Sequence, residues 1–139
     1  MGIIVDTCVW IDVERGRLSS LDVSRYTGNE PVFMSPVTVA ELTYGVERAA
    51  DAGIKQRRVS ALERLKKKPI LLIDEETGVT FGRLSAALQS QGRGAEFRVQ
   101  DIWIASQAIQ HGFPVLTKNK KGFQDIPGLD LIVIGSDRM

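Results

Sequence analysis

The sequence predicts an α/β fold with three α/β/α layers around a central parallel sheet of four to five strands, in a single domain over residues 1–139. Three observations predict it. Short apolar runs recur along the chain at Ile3-Ile4-Val5, Val32-Phe33-Met34, Ile70-Leu71-Leu72-Ile73, Val115-Leu116 and Leu131 to Ile134. None of them shows the in-and-out alternation of a strand with one wet face, so they suit strands covered on both sides. Between them lie longer segments with apolar residues three and four apart, the period of a helix buried on one side. Strands and helices alternating in this way build a parallel sheet with helices on both faces.

The first run ends on Asp6. Beyond it Val9, Trp10 and Val13 recur at helical spacing, with Thr7 as the expected polar cap and Arg15-Gly16 as the stop. Leu18 to Tyr26 reads as a second helix closed by Gly28-Asn29, ahead of the strand Val32-Phe33-Met34. Pro36 sits where a helix start tolerates its missing N–H, and Val39, Leu42 and Val46 continue that helix to a break at Gly53. Ala40, Tyr44 and Val46 make it a largely buried helix, with Glu41 in its second turn. Ile54 to Lys67 is an amphipathic surface helix ended by Pro69, and Ile70 to Ile73 is the next expected strand.

Asp74 or Glu75 opens a helix running through Phe81, Leu84 and Leu88 to Gln91. Gly92 to Phe97 is a loop into a strongly apolar helix, Val99 to His111, that carries Asp101 in its first turn and stops at Gly112. Pro114 to Thr117 is another strand, followed by the polar loop Lys118-Asn119-Lys120-Lys121-Gly122. Leu131 to Ile134 is the last strand, and Gly135 to Met139 a frayed tail.

Composition narrows the class. A chain that is 43% hydrophobic and 25% charged is neither disordered nor fibrous. Its apolar runs fall well short of the ~20 residues a membrane span needs, and the start does not read as a secretory leader, so the expected location is the cytoplasm. One cysteine, Cys8, builds neither an internal disulfide nor a thiolate metal site.

In open α/β sheets ligands bind beyond the carboxyl ends of the strands, where strand order reverses. The predicted fold places Asp6 and Lys118-Asn119 on that edge, within reach of Glu41 and Asp101. Asp6 by itself is equally well a helix cap. Together, Asp6, Glu41 and Asp101 are acids beside apolar segments, an arrangement that calls for a cation. With no His or Cys cluster zinc is disfavoured, and a hard oxygen-seeking ion, Mg²⁺ or Mn²⁺, is the expected cofactor.

Four short motifs then carry a resemblance over essentially the whole chain. They are Ile4-Val5-Asp6-Thr7; Val39-Ala40-Glu41-Leu42 with Gly45; Asp101 with Ile104, Ala105 and Ala108; and Leu116-Thr117-Lys118-Asn119 with Phe123. In this order and spacing, with Pro127-Gly128-Leu129 after them, the chain resembles the PIN-domain ribonucleases and in particular the VapC toxins of toxin–antitoxin pairs. The resemblance implies metal-dependent endonucleolytic cleavage of RNA, leaving a 5′-phosphate and a 3′-hydroxyl. The counterparts of Asp6 and Asp101 bind the metal, and that of Glu41 holds a metal-bound water.

The chain departs from the family where a further acid often stands, having Asn119 and Gly122 there. Asn119 offers an uncharged carbonyl oxygen instead, which favours one metal over two. Thr7 and Thr117 are either caps or contacts to substrate, and Lys118, Lys120 and Lys121 are expected phosphate contacts. Cys8, Trp10 and Trp103 are expected to pack internally, His111 to end its helix, Asp12 and Glu96 to be surface charges, and Lys66-Lys67-Lys68 to be a solvated helix end.

As partners, the resemblance implies an RNA substrate, a homodimer, and a VapB-like antitoxin laying a helix in an apolar groove near the first helices. The alternative is an inactive module that kept the fold for RNA or protein binding. A phosphoacceptor signalling domain would need an aspartate ending the second strand, where the chain has Met34-Ser35-Pro36.

Overall fold

The computed structural model describes residues 2–93 and 98–135. In chain order the elements are β1 (Ile3–Val5), α1 (Thr7–Glu14), α2 (Ser20–Thr27), β2 (Val32–Phe33), α3 (Pro36–Arg48), α4 (Ala52–Leu65), α5 (Glu75–Ser90), α6 (Val99–His111), β3 (Val115–Thr117), α7 (Lys120–Phe123) and β4 (Leu131–Val133). The expected loop with Glu96, and the tail beyond Gly135, lie outside the described residues.

The strands form one parallel sheet in the order β2-β1-β3-β4, with Ile4 opposite both Phe33 and Val115, and Leu116 opposite Ile132. From β1 the chain winds to β2 on one side and later returns to β3 on the other. Strand order therefore reverses between β1 and β3, and their carboxyl ends border the crevice that such a reversal opens.

The pleat of β1 sorts its side chains between two cores. Ile4 joins Leu84, Leu88, Ile102, Ala105 and Phe123 under α5 and α6, while Ile3 and Val5 join Val9, Trp10, Val23 and Leu116 under α1 and α2. Burial on both faces explains why the strand runs lack alternation.

Six local readings change. The run Ile70 to Ile73 is not a strand of the sheet. It makes a single bridge, Ile70 to Met34, after which the Leu71 carbonyl accepts from Gln107 Nε2 at 2.7 Å and Leu72 turns out to 74% exposure. Gly53 lies inside α4, and the break precedes it, because Asp51 caps the helix by accepting from the Gly53 and Ile54 amides. The polar loop after β3 winds into α7 with Asn119 as its cap.

The α1 cap is Asp6 rather than Thr7, and α2 starts at Ser20 behind a reciprocal Ser19–Asp22 capping box. Finally, α3 buries only Thr38 and Val46, leaving Ala40 and Tyr44 exposed. Trp10 is 5% exposed and belongs to the core. Among the described residues no helix is long and apolar enough to cross a membrane.

Candidate active site

Asp6 is positioned by a change of secondary structure. β1 ends at Val5, and the Asp6 amide still makes a sheet bond to the Leu116 carbonyl at 2.9 Å before α1 begins. One carboxylate oxygen caps the helix, accepting from the Thr7 amide at 2.8 Å; the other accepts from the Thr117 hydroxyl at 2.8 Å and from Cys8 Sγ at 3.2 Å. The cap and the site are thus the same residue, with a different oxygen for each.

Thr117 is fully buried at the end of β3. Besides donating to Asp6 it accepts from the Asn119 amide at 2.9 Å. Its hydroxyl thus positions Asp6 and the turn that opens α7. Thr7, 5% exposed, is likewise turned inward: its hydroxyl donates to Glu41 Oε1 at 2.7 Å and lies 2.9 Å from Thr38 Oγ1.

Asn119 accepts from the Gly122 amide at 3.3 Å, closing the first turn of α7. A Cβ on Gly122 would stand 2.6 Å from Asp101 Oδ2 and 2.6 Å from Asn119 Nδ2. The space a side chain at 122 would take is therefore filled by the Asp101 carboxylate and the Asn119 carboxamide. Glycine at 122 is what permits that approach.

The acids sense one another. The Asp101 carboxyl is pushed up to about 6 by burial first, then by the charges of Asp6 and Glu41, with Arg98 opposing. Glu41 is raised by burial and by Asp6, against the hydrogen bond from Thr7. Crowded negative charge of this kind is relieved by a cation. The acids offer oxygen donors, which suits a hard divalent ion. Among the described residues no three His, Cys, Asp or Glu side chains converge as a ready-made cage. The fit is to an ion that keeps much of its water and takes one or two carboxylates, the habit of Mg²⁺.

The basic residues divide. Lys118 Nζ pairs with Asp12, which is 4% exposed rather than a surface charge and also lies 3.5 Å from Arg17. Lys118 holds the Asp12 carboxyl below the usual range, so its role in this geometry is to neutralise a buried acid. Lys120 and Lys121 stand exposed on α7 beside Asn119.

Sequence reasoning missed Thr38 and the Arg98–Asp125 pair, joined at 2.8 and 2.7 Å. Helical spacing was the available signal. Thr38 precedes Glu41 by three residues and Arg98 precedes Asp101 by three, the spacing that places two side chains on one face.

The fold and these residues have counterparts in known proteins. The model of the PIN domain family matches residues 3–129. The chain is 32% identical over 137 residues to Ribonuclease VapC1 of Rickettsia felis, covering 98% of each chain. Its structure is similar to that of VapBC2 from Rickettsia felis bound to a promoter DNA fragment, with a TM-score of 0.82 and 24% identity over 96% of this chain and 98% of the other. That likeness speaks for the fold. VapBC-5 from Mycobacterium tuberculosis, a member of the VapBC family of toxin-antitoxin systems, matches with a TM-score of 0.77 and 26% identity over 96% of this chain and all of that one.

Proposed function

The chain belongs to the PIN domain family, and from that premise we infer that it is an endoribonuclease toxin, hydrolysing RNA phosphodiester bonds and neutralised by a VapB-like antitoxin. We further propose that cleavage needs Mg²⁺ or Mn²⁺ held by Asp6 and Asp101. The observation that carries the reading is that Asp6 is held at the end of β1, where strand order reverses, by Thr117 and the Thr7 amide, and that the Thr7 hydroxyl ties Glu41 to the same place.

Bound there, a divalent ion supplies Lewis-acid stabilisation of phosphate charge and makes hydroxide accessible near neutral pH. The protein's part is orientation. Thr117 and the Thr7 amide hold the two Asp6 oxygens, so the carboxylate cannot rotate away. Glu41, fixed by Thr7, reaches solvent and is placed to accept a proton from an attacking water. Asn119 presents a neutral carboxamide beside Asp101, and Lys120 and Lys121 attract the RNA backbone.

For the antitoxin, a groove between α1, α3 and α4 is the surface we assign. Ile11, Leu42, Leu62 and Leu65 line it, Arg58 and Glu14 edge it, and it reaches Glu41. An amphipathic helix laid there has its apolar face covered and its end at the site. A homodimer is also part of the proposal.

Purified chain and Asp6→Asn, incubated with total RNA and Mg²⁺, Mn²⁺ or EDTA, test the reading. Discrete cuts ending in 5′-phosphate, requiring both metal and Asp6, are expected. If the wild-type chain binds RNA but cuts nothing in either metal, the binding-module alternative replaces it.

A further inference from the structure

Thr7 has one hydroxyl proton and two oxygen neighbours. Glu41 Oε1 is 2.7 Å away and Thr38 Oγ1 is 2.9 Å away. An ionised carboxylate only accepts, so the Thr7 proton is committed to Glu41 and the Thr38 hydroxyl must be the donor to Thr7. Thr38 is fully buried, and its hydroxyl has no other hydrogen-bond partner among the described residues.

We infer that Thr38 is a positioning residue for the nuclease: by donating to Thr7 it fixes the direction of the Thr7 hydroxyl, which in turn holds the Glu41 carboxylate at the crevice. The inference deepens the ribonuclease reading and rests on it for its catalytic consequence.

The geometry explains an otherwise odd choice. A threonine in the first turn of a helix lowers helix propensity, and a buried hydroxyl costs free energy unless bonded. Thr38 bonds across to α1 rather than back along α3, although Thr and Ser in helices often bond their own backbone. It sits three residues before Glu41, on the same face of α3. The chain Thr38 to Thr7 to Glu41 therefore runs in one direction and crosses from α3 to α1 and back. Reversing either hydroxyl would set two lone pairs against each other.

The test is a double-mutant cycle on the full chain with Thr38→Val, Thr7→Val and both, with Thr38→Ser as the conservative control. Thr38→Val is expected to lower kcat for RNA cleavage about tenfold with KM unchanged, the loss of the one hydrogen bond that orients the Thr7 donor toward Glu41. Thr38→Ser restores kcat to within about twofold, and Thr38→Val has no further effect once Thr7 is valine. In urea unfolding the same cycle is expected to show a coupling of about fivefold in the folding constant, independent of any metal.

Equal losses with and without Thr7 would overturn the inference, as would an unchanged kcat in Thr38→Val or failure of serine to rescue. If Thr38→Val does not fold, Thr38→Ala takes its place in the cycle. A wild-type chain that cuts no RNA overturns the ribonuclease reading instead, and the urea cycle alone then decides the Thr38 inference.

Discussion

Arg98 holds Asp125 through two parallel hydrogen bonds, Nη1 to Oδ2 at 2.8 Å and Nη2 to Oδ1 at 2.7 Å. Arg98 directly precedes α6, three residues before Asp101, and Asp125 lies just beyond α7. The pair therefore ties the helix that carries one acid to the turn that carries Asn119 and Gly122.

A pH dependence follows from that pair. The Arg98 hydrogen bonds hold the folded Asp125 carboxyl below its usual range. A depressed folded value contributes stability above the unfolded value of about 3.9, and that contribution is lost as pH falls through the folded value. Asp125→Asn is expected to cost about 1 kcal/mol at pH 7 and less at pH 3, below the unfolded value. Urea unfolding at the two pH values checks it; an equal cost at both would refute the account.

Asp6→Asn should separate fold from chemistry. Asparagine caps helices as well as aspartate does, and its carboxamide oxygen can still accept from the Thr7 amide. The far-ultraviolet circular dichroism is expected to match wild type while RNA cleavage drops by about 10³-fold or more, the scale of several kcal/mol of lost charge stabilisation. Loss of calorimetric Mn²⁺ binding in the same variant would assign the ion to this carboxylate.

Gly122→Ala asks what the close approach at α7 does. The new methyl would meet the ends of two side chains, Asp101 and Asn119, rather than backbone, so the fold can yield cheaply while the site cannot. We expect a melting temperature within about 3 °C of wild type and a cleavage rate lower by about 10²-fold, the cost of displacing a reacting group by about 1 Å. Unimpaired cleavage would show that Asp101 tolerates the shift.

The lysines after β3 should behave differently from one another. Removing Lys118 leaves the buried Asp12 carboxylate with Arg17, at 3.5 Å, as its one cation among the described residues, and Lys118→Ala is expected to cost about 1–3 kcal/mol of stability. The pair Lys120→Ala and Lys121→Ala should leave stability unchanged and weaken RNA binding, flattening the log–log salt slope by about 0.7 for each phosphate no longer neutralised. Fluorescence titrations at several salt concentrations measure that slope.

The layers, the parallel sheet and the edge carrying Asp6 were legible because strands buried on both faces leave continuous apolar runs, and helices leave their period. What was not legible depended on partners far away in sequence. Ile70 to Ile73 has a strand's composition, but Gln107 takes the Leu71 carbonyl and ends the pairing. Asp12 looks like any acid on an amphipathic helix until Lys118 folds over it. Thr7 and Thr117 fit a cap or a substrate contact equally well in sequence, because nothing local says that each spends its hydroxyl on an acid. Gly122 was visible as a missing carboxylate, whereas the reason for glycine lies in Asp101 and Asn119.

The bond between Thr117 and Asp6 spans 111 residues, and that span has a consequence for synthesis. A ribosome adding about 5–20 residues per second makes Asp6 roughly 6 to 20 s before it makes Thr117. Through that interval the carboxylate has no β3 beside it and no hydroxyl to hold it. The hold on Asp6 that Thr117 provides is therefore completed only after translation has passed β3.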